Sequence, residues 1–171
     1  MPSTLHTLGT PLGPMLLSAS TTGLSGAWFL GQRHFPDLTA PALASAPPAH
    51  AVLAQACAQL GEYFAGQRQQ FDLPLDLSAG TAFQQQVWQA LLGIPWGQSA
   101  RYGELAQQLG RAQAARAVGA AVGRNPISII VPCHRVLGTH GSLTGYAGGL
   151  ERKQDLLQRE GTLASNGSLF H

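Results

Sequence analysis

The sequence predicts an α+β fold: a small N-terminal sheet-and-helix domain followed by a mostly helical C-terminal domain with a helix-turn-helix. Three observations predict it. Short apolar runs between Gly and Pro residues fill the first thirty positions. From Ala51 onward, apolar residues recur at helical spacing. A stretch with four prolines, Pro36 to Ala49, has no period and separates the two styles. A division into residues 1–77 and 78–171 is expected.

The elements follow in order. Pro14 to Ser20 and Leu24 to Leu30 read as strands. Ala51 to Phe64 reads as a helix with Val52, Leu53, Ala56, Leu60 and Phe64 on its apolar face, and Cys57 within it as a small buried residue. Thr81 followed by Gln84 fits a capping box. Phe83, Val87, Trp88, Leu91 and Leu92 mark the inward face of the helix it opens, which Pro95 helps end. Tyr102 to Leu109 and Gln113 to Gly123 read as paired helices around Gly110. Ile127 to Val131 reads as a buried extended run. Gly138 to Gly149, with five glycines, reads as loop, and Leu150 to Glu160 as a helix with Leu150, Leu156 and Leu157 inward. Ser165 to His171 reads as a frayed tail.

Composition excludes several classes. The 171 residues are 44% hydrophobic and only 11% charged, the reverse of a disordered chain. No apolar run is long enough for a membrane helix, and the first ten residues lack the basic start of a secretory signal, so a cytoplasmic protein without a membrane partner is expected. Two cysteines, Cys57 and Cys133, are too few for a disulfide scaffold. Neither has a nearby second Cys and the six His are scattered, so no metal is expected.

Charge is uneven. Residues 1–100 carry two Arg against four acids, while residues 101–171 carry seven Arg and one Lys against four acids. Five of those Arg lie between Arg101 and Arg135. A polyanion would feel this field, although solvated Arg on helix surfaces would give the same count. The helix at 113–123 is poor in side-chain bulk: Ala114, Ala115, Ala117, Gly119, Ala120, Ala121 and Gly123. It fits either close entry into a nucleic-acid groove, with Arg116 as a wedge, or close packing on a neighbour. Base-edge readers are sparse on it, so any DNA binding would be independent of sequence.

The chemistry concentrates in Ile129-Ile130-Val131-Pro132-Cys133-His134-Arg135-Val136. An apolar run and a stiffening Pro132 deliver a thiol to one point, and an imidazole and a guanidinium follow it. An ordinary thiol is about 3% thiolate at pH 7. His134, Arg135 and helix N-termini are the agents that would depress its pKa by two or three units, as a nucleophile requires. His134 serves Cys133 directly only if the chain turns there; otherwise a water relays the proton. The other ring nitrogen needs an acid, for which Glu160 is the candidate. From these residues alone, a buried structural Cys remains open, as do a helix-turn-helix DNA-binding module without chemistry and a cysteine hydrolase using Cys133, His134 and Glu160.

The segment Asn125 to Val136 resembles the active-site segment of O6-alkylguanine-DNA alkyltransferases, also called methylated-DNA–protein-cysteine methyltransferases. The resemblance continues through Gly145-Tyr146-Ala147-Gly148-Gly149 to Lys153, Leu156, Leu157, Glu160 and Gly161. Upstream it includes Phe83, Val87, Trp88, Tyr102, Leu105, Ala106 and Ala114 to Gly119. The first 80 residues match more weakly, as the family's ribonuclease-H-like N-terminal domain. The resemblance implies a repair protein that moves an alkyl group from O6 of guanine in double-stranded DNA irreversibly onto its own Cys133, without a cofactor. It implies that His134 deprotonates Cys133 through a water and Glu160 orients His134. Asn125 would hold the active-site turn, and Tyr102 would help evert the nucleotide and donate a proton to the leaving guanine. Backbone groups of Cys133 and Val136 would read the guanine edge, and Tyr146 and Ala147 would cover its O6 side. Ala115, Arg116, Arg124 and Arg135 would face DNA, entered as a monomer from the minor groove with base flipping. Some members carry Ser in place of Ala147, so this chain lacks that hydroxyl donor to O6 and keeps the backbone N–H there, and the zinc-binding Cys residues of some members are absent.

Overall fold

A computed structural model describes residues 3–43 and 46–163. The chain divides into two compact units, Met1–Ala79 and Gly80–His171.

The first unit is a three-stranded antiparallel sheet, β1 (Thr4–Leu8), β2 (Met15–Ala19) and β3 (Leu24–Phe29), with one helix, α1 (Ala51–Phe64). The sequence reading missed β1, whose Thr-Leu-His-Thr-Leu run is short and mixed in polarity. It pairs with β2 from Thr4↔Ala19 to Leu8↔Met15. Every residue of β2 is buried, as a central strand covered on both faces requires. Leu53, Ala56, Leu60 and Tyr63 of α1 join this core. Cys57 is half-buried rather than enclosed, because it sits at the edge of that face. The end of the unit returns beside β3: Leu24 N–H donates to Pro74 O (2.8 Å) and Asp76 N–H to Leu24 O (2.7 Å). Gly23 permits this approach, since a Cβ there would meet Pro74 O at 2.5 Å.

The second unit is helical. α2 (Ala82–Leu92) starts on the expected capping box: Gln84 N–H donates to Thr81 Oγ1 (3.1 Å) and Thr81 N–H to Gln84 Oε1 (3.0 Å). Val87, Trp88 and Leu91 are buried, but Leu92 is exposed at the last turn. After a two-residue strand, β4 (Ala100–Arg101), come α3 (Tyr102–Gln108) and α4 (Ala115–Gly123), the helix-turn-helix pair. Trp88 ties α2 to α4 through its indole N–H, which donates to Ala121 O (2.8 Å). A 3-10 turn at Cys133–Arg135 leads into β5 (Val136–Leu137), which runs parallel to β4. The last helix is α5 (Leu150–Arg159). Leu156 and Leu157 point inward as expected, whereas Leu150 is exposed because it opens the first turn. The expected tail at Ser165 to His171 lies outside the described residues.

One correction bears on the site. Ile127 to Val131 is buried but not extended. The chain coils there, with Val131 N–H donating to Ile127 O (3.0 Å) and Ile129 in the left-handed region at φ 74°. A β-branched residue is strained in that region and stays there only when its surroundings hold it.

Candidate active site

Asn125 holds the coil that precedes Cys133. Its Oδ1 accepts from Ile127 N–H (3.0 Å) and its Nδ2 donates to Val131 O (2.8 Å). One side chain thus bridges both ends of the strained segment. The 3-10 turn then closes on itself: Cys133 N–H donates to Val131 O (2.8 Å) and Arg135 N–H to Pro132 O (3.0 Å). The chain therefore does turn between thiol and imidazole, but neither ring nitrogen of His134 bonds the thiol: Nε2 faces Glu160 and Nδ1 has no protein partner.

Glu160 reaches the turn from the C-cap of α5. Gly161, at φ 75°, supplies the left-handed residue that ends the helix there. Glu160 Oε2 pairs with His134 Nε2 at 2.7 Å, and Arg135 Nε donates to Glu160 Oε1 at 2.7 Å. Arg135 also donates from Nη2 to Glu160 Oε2 (3.2 Å) and from Nη1 to Ile94 O (2.6 Å). Burial alone would raise the Glu160 carboxyl, but hydrogen bonds and charge from His134 and Arg135 bring it down to about 2. Burial lowers the His134 pKa, with Glu160 pulling the other way, so the ring is neutral at pH 7. Its Nδ1 is buried and makes no hydrogen bond within the protein.

The other expected residues divide into two groups. Cys133, His134, Glu160, Asn125, Val136 and Tyr146 are buried and meet around the turn. Tyr102, at the start of α3, joins them half-buried: its hydroxyl donates to Gly145 O (3.3 Å), and its ring lies against Gly119 of α4. Burial and then the nearby Cys133 raise its pKa, so the phenol stays protonated at neutral pH. Burial likewise holds Tyr146 well above 10. Ala147 follows it, half-buried. Arg116 and Arg124 are exposed on and just after α4, and Ala115 is half-buried beside a groove that Tyr102, Arg101, Gln107 and Thr139 also line.

Two expectations change. Arg135, expected to face DNA and to depress the thiol, is 6% exposed and fully occupied by Glu160 and Ile94. A buried guanidinium must find such partners. Cys133 is also 6% exposed, and its pKa is raised rather than depressed. Burial is the main cause; the Asn125 amide and the Lys153 charge oppose it without winning.

The sequence reading gave Lys153 no role, yet its side chain is fully buried here. Its Nζ donates to Val136 O (2.5 Å) and Thr144 O (2.7 Å). A signal existed: Lys153, Leu156, Leu157 and Glu160 share one helical stripe, so two charged residues sit on an inward face.

Comparison with known proteins gives concordant results. Residues 82–162 match the family model described as 6-O-methylguanine DNA methyltransferase, DNA binding domain. Residues 5–77 match 6-O-methylguanine DNA methyltransferase, ribonuclease-like domain. The chain is 48% identical to the methylated-DNA–protein-cysteine methyltransferase of Mycobacterium bovis, over 91% of this chain and 90% of that one. It is 60% identical to the Salmonella typhimurium protein of the same name, over 61% of each chain. Among solved structures, the Mycobacterium tuberculosis O6-methylguanine methyltransferase superposes with a TM-score of 0.81 at 44% identity, over 99% of this chain and 100% of that one. A structure of the M. tuberculosis protein in complex with DNA gives a TM-score of 0.80 at 43% identity, over 98% of this chain and 99% of that one.

Proposed function

The chain belongs to the 6-O-methylguanine DNA methyltransferase family, and from that premise we propose that it repairs DNA by taking the alkyl group of O6-alkylguanine onto Cys133, once per molecule. The observation that carries the assignment to Cys133 is the turn that joins this thiol to His134, with Glu160 2.7 Å from one ring nitrogen and the other ring nitrogen buried without a protein partner. That second nitrogen, Nδ1, is free to accept the thiol proton through a water. Glu160, locked as a carboxylate by Arg135, then stabilises the imidazolium.

The reaction is displacement at saturated carbon. The Cys133 Sγ–C bond forms as the C–O6 bond breaks, and the thiol proton passes to His134. The Tyr102 hydroxyl gives its proton to the leaving guanine, and the proton taken up by His134 returns through water to the Tyr102 phenolate. The sum is thiol plus O6-alkylguanine giving thioether plus guanine. A thioether does not hydrolyse, and Cys57, on α1 of the first unit, is assigned no part in reversing it. The base must leave the duplex to meet a thiol this buried. We assign that step to Arg116 as a wedge entering from the minor groove on slim α4, with Ala115 and Arg124 along the backbone. Val136 and the Tyr146–Ala147 segment would then surround the everted guanine. The protein acts as a monomer in the cytoplasm on this reading, with residues 78–171 carrying both DNA contact and acceptor.

The test is mass spectrometry after incubation with excess duplex DNA containing O6-methylguanine. The peptide bearing Cys133 should carry one methyl group per protein and no more. An unmodified Cys133 peptide overturns the proposal.

A further inference from the structure

Lys153 is fully buried, yet among the described residues no carboxylate lies within ion-pair reach of it. Its two hydrogen bonds go to neutral carbonyls, Val136 O and Thr144 O. A buried ammonium without an anion is strongly disfavoured, and persists where another demand holds it. The other charges nearby are already matched: Arg135 forks onto Glu160, and His134 is neutral. Lys153 is thus the uncommitted cation of the site. Its partner Val136 is one peptide link from the nucleophile's turn. Val136 accepts from Lys153 through its carbonyl while its own N–H donates to Cys133 O. Thr144, the other anchor, lies two residues before Tyr146.

We propose that Lys153 is a positioning residue whose clamped ammonium is the counter-charge for the Cys133 thiolate, an inference that rests on Cys133 being the alkyl acceptor. Once the thiol proton has left for solvent and His134 is neutral again, a Cys133 thiolate beside the Glu160–Arg135 pair would otherwise be a net buried anion. With Lys153 present that state carries no net charge, and the two carbonyl anchors prevent the ammonium from swinging away. Burial holds the Lys153 pKa down to about 8, and the pull from Cys133 runs the other way. The same charge works on Cys133 to favour its anion. The remaining titratable groups around this pair are His134 and Arg135 of the turn, Glu160 of α5, Tyr102 of α3 and Tyr146 of the loop. Both tyrosines stay neutral through the neutral range, and Glu160 stays charged.

The experiment follows the pH dependence of Cys133 alkylation by iodoacetamide, with the Cys57 peptide resolved by mass. Wild type is first shown to accept methyl from O6-methylguanine DNA at Cys133; failure there removes the acceptor assignment and not merely the role of Lys153. In folded Lys153→Met, the alkylation midpoint should rise by at least one pH unit. The rate at pH 7 should then fall about tenfold and recover in alkaline buffer, while Lys153→Arg keeps the wild-type midpoint. An unchanged midpoint in Lys153→Met overturns the proposal, because lost packing alone would slow the reaction equally at every pH. If Lys153→Met does not fold, the Lys153 ammonium is titrated by NMR in wild type and in Cys133→Ser. Coupling is reciprocal, so the Lys153 midpoint should be lower without the thiol. Equal midpoints overturn the proposal.

Discussion

Glu160 illustrates what a sequence can and cannot reveal about one residue. Its pairing with His134 was legible through the family resemblance: an imidazole beside a thiol needs an acid, and the resemblance puts Glu160 in that place. That Arg135 would fork onto the same carboxylate was not legible. A long cationic side chain goes where a partner exists, and its partners here are 25 and 41 residues away. The joint arrangement makes Glu160→Gln doubly costly. It takes the carboxylate from His134, and it leaves the buried Arg135 charge unmatched. Alkyl transfer should slow by about a hundredfold or more. Stability should drop by about 3–5 kcal/mol, as read by urea denaturation. Normal transfer to Cys133 in a folded Glu160→Gln protein would refute the polarising role.

Among the elements, the helices were the most legible, because their apolar spacing and the Thr81–Gln84 cap act over a few residues. The segment before the nucleophile was misread for a physical reason: Ile127 to Val131 has the composition of a buried strand, but the Asn125 side chain, two and six residues from its partners, bonds the backbone at both ends and coils it. Short β1 was missed because its alternation is weak and its partner β2 is central. The α4 helix carries its own prediction. Arg116 is exposed on it and takes no part in the cluster around Cys133. Arg116→Ala should therefore slow repair of duplex DNA at least tenfold more than reaction with free O6-benzylguanine, since only the former needs an extruded base. Comparing the two rates side by side checks this, and equal losses would remove the wedge role.

At the scale of the whole molecule, the buried site ties stability to pH. A Glu160 carboxyl that falls from 4.5 to about 2 on folding contributes on the order of 3 kcal/mol. That contribution is fully present above pH 4.5 and is lost as pH falls toward 2. His134 adds to the acid side, because its folded pKa lies below its ordinary 6.5 and the unfolded chain binds the extra proton. The urea midpoint should start to fall below pH 6.5 and fall most steeply between pH 4.5 and 2. In Glu160→Gln the steep portion should shrink. A midpoint that stays level from pH 7 to pH 3 would contradict this linkage.

The left-handed Ile129 is strained and buried, so the reactive geometry lasts only while the folded unit packs around it. A nascent chain still on the ribosome, or a fragment spanning Asn125 to Val136, keeps the Asn125 side chain but lacks the packing around Ile129 and the Glu160 carboxylate, so it would relax out of that shape and offer a commonplace cysteine. Competence for repair and completion of folding are then a single event, so a census of acceptor-ready molecules in a cell counts only those that have finished folding.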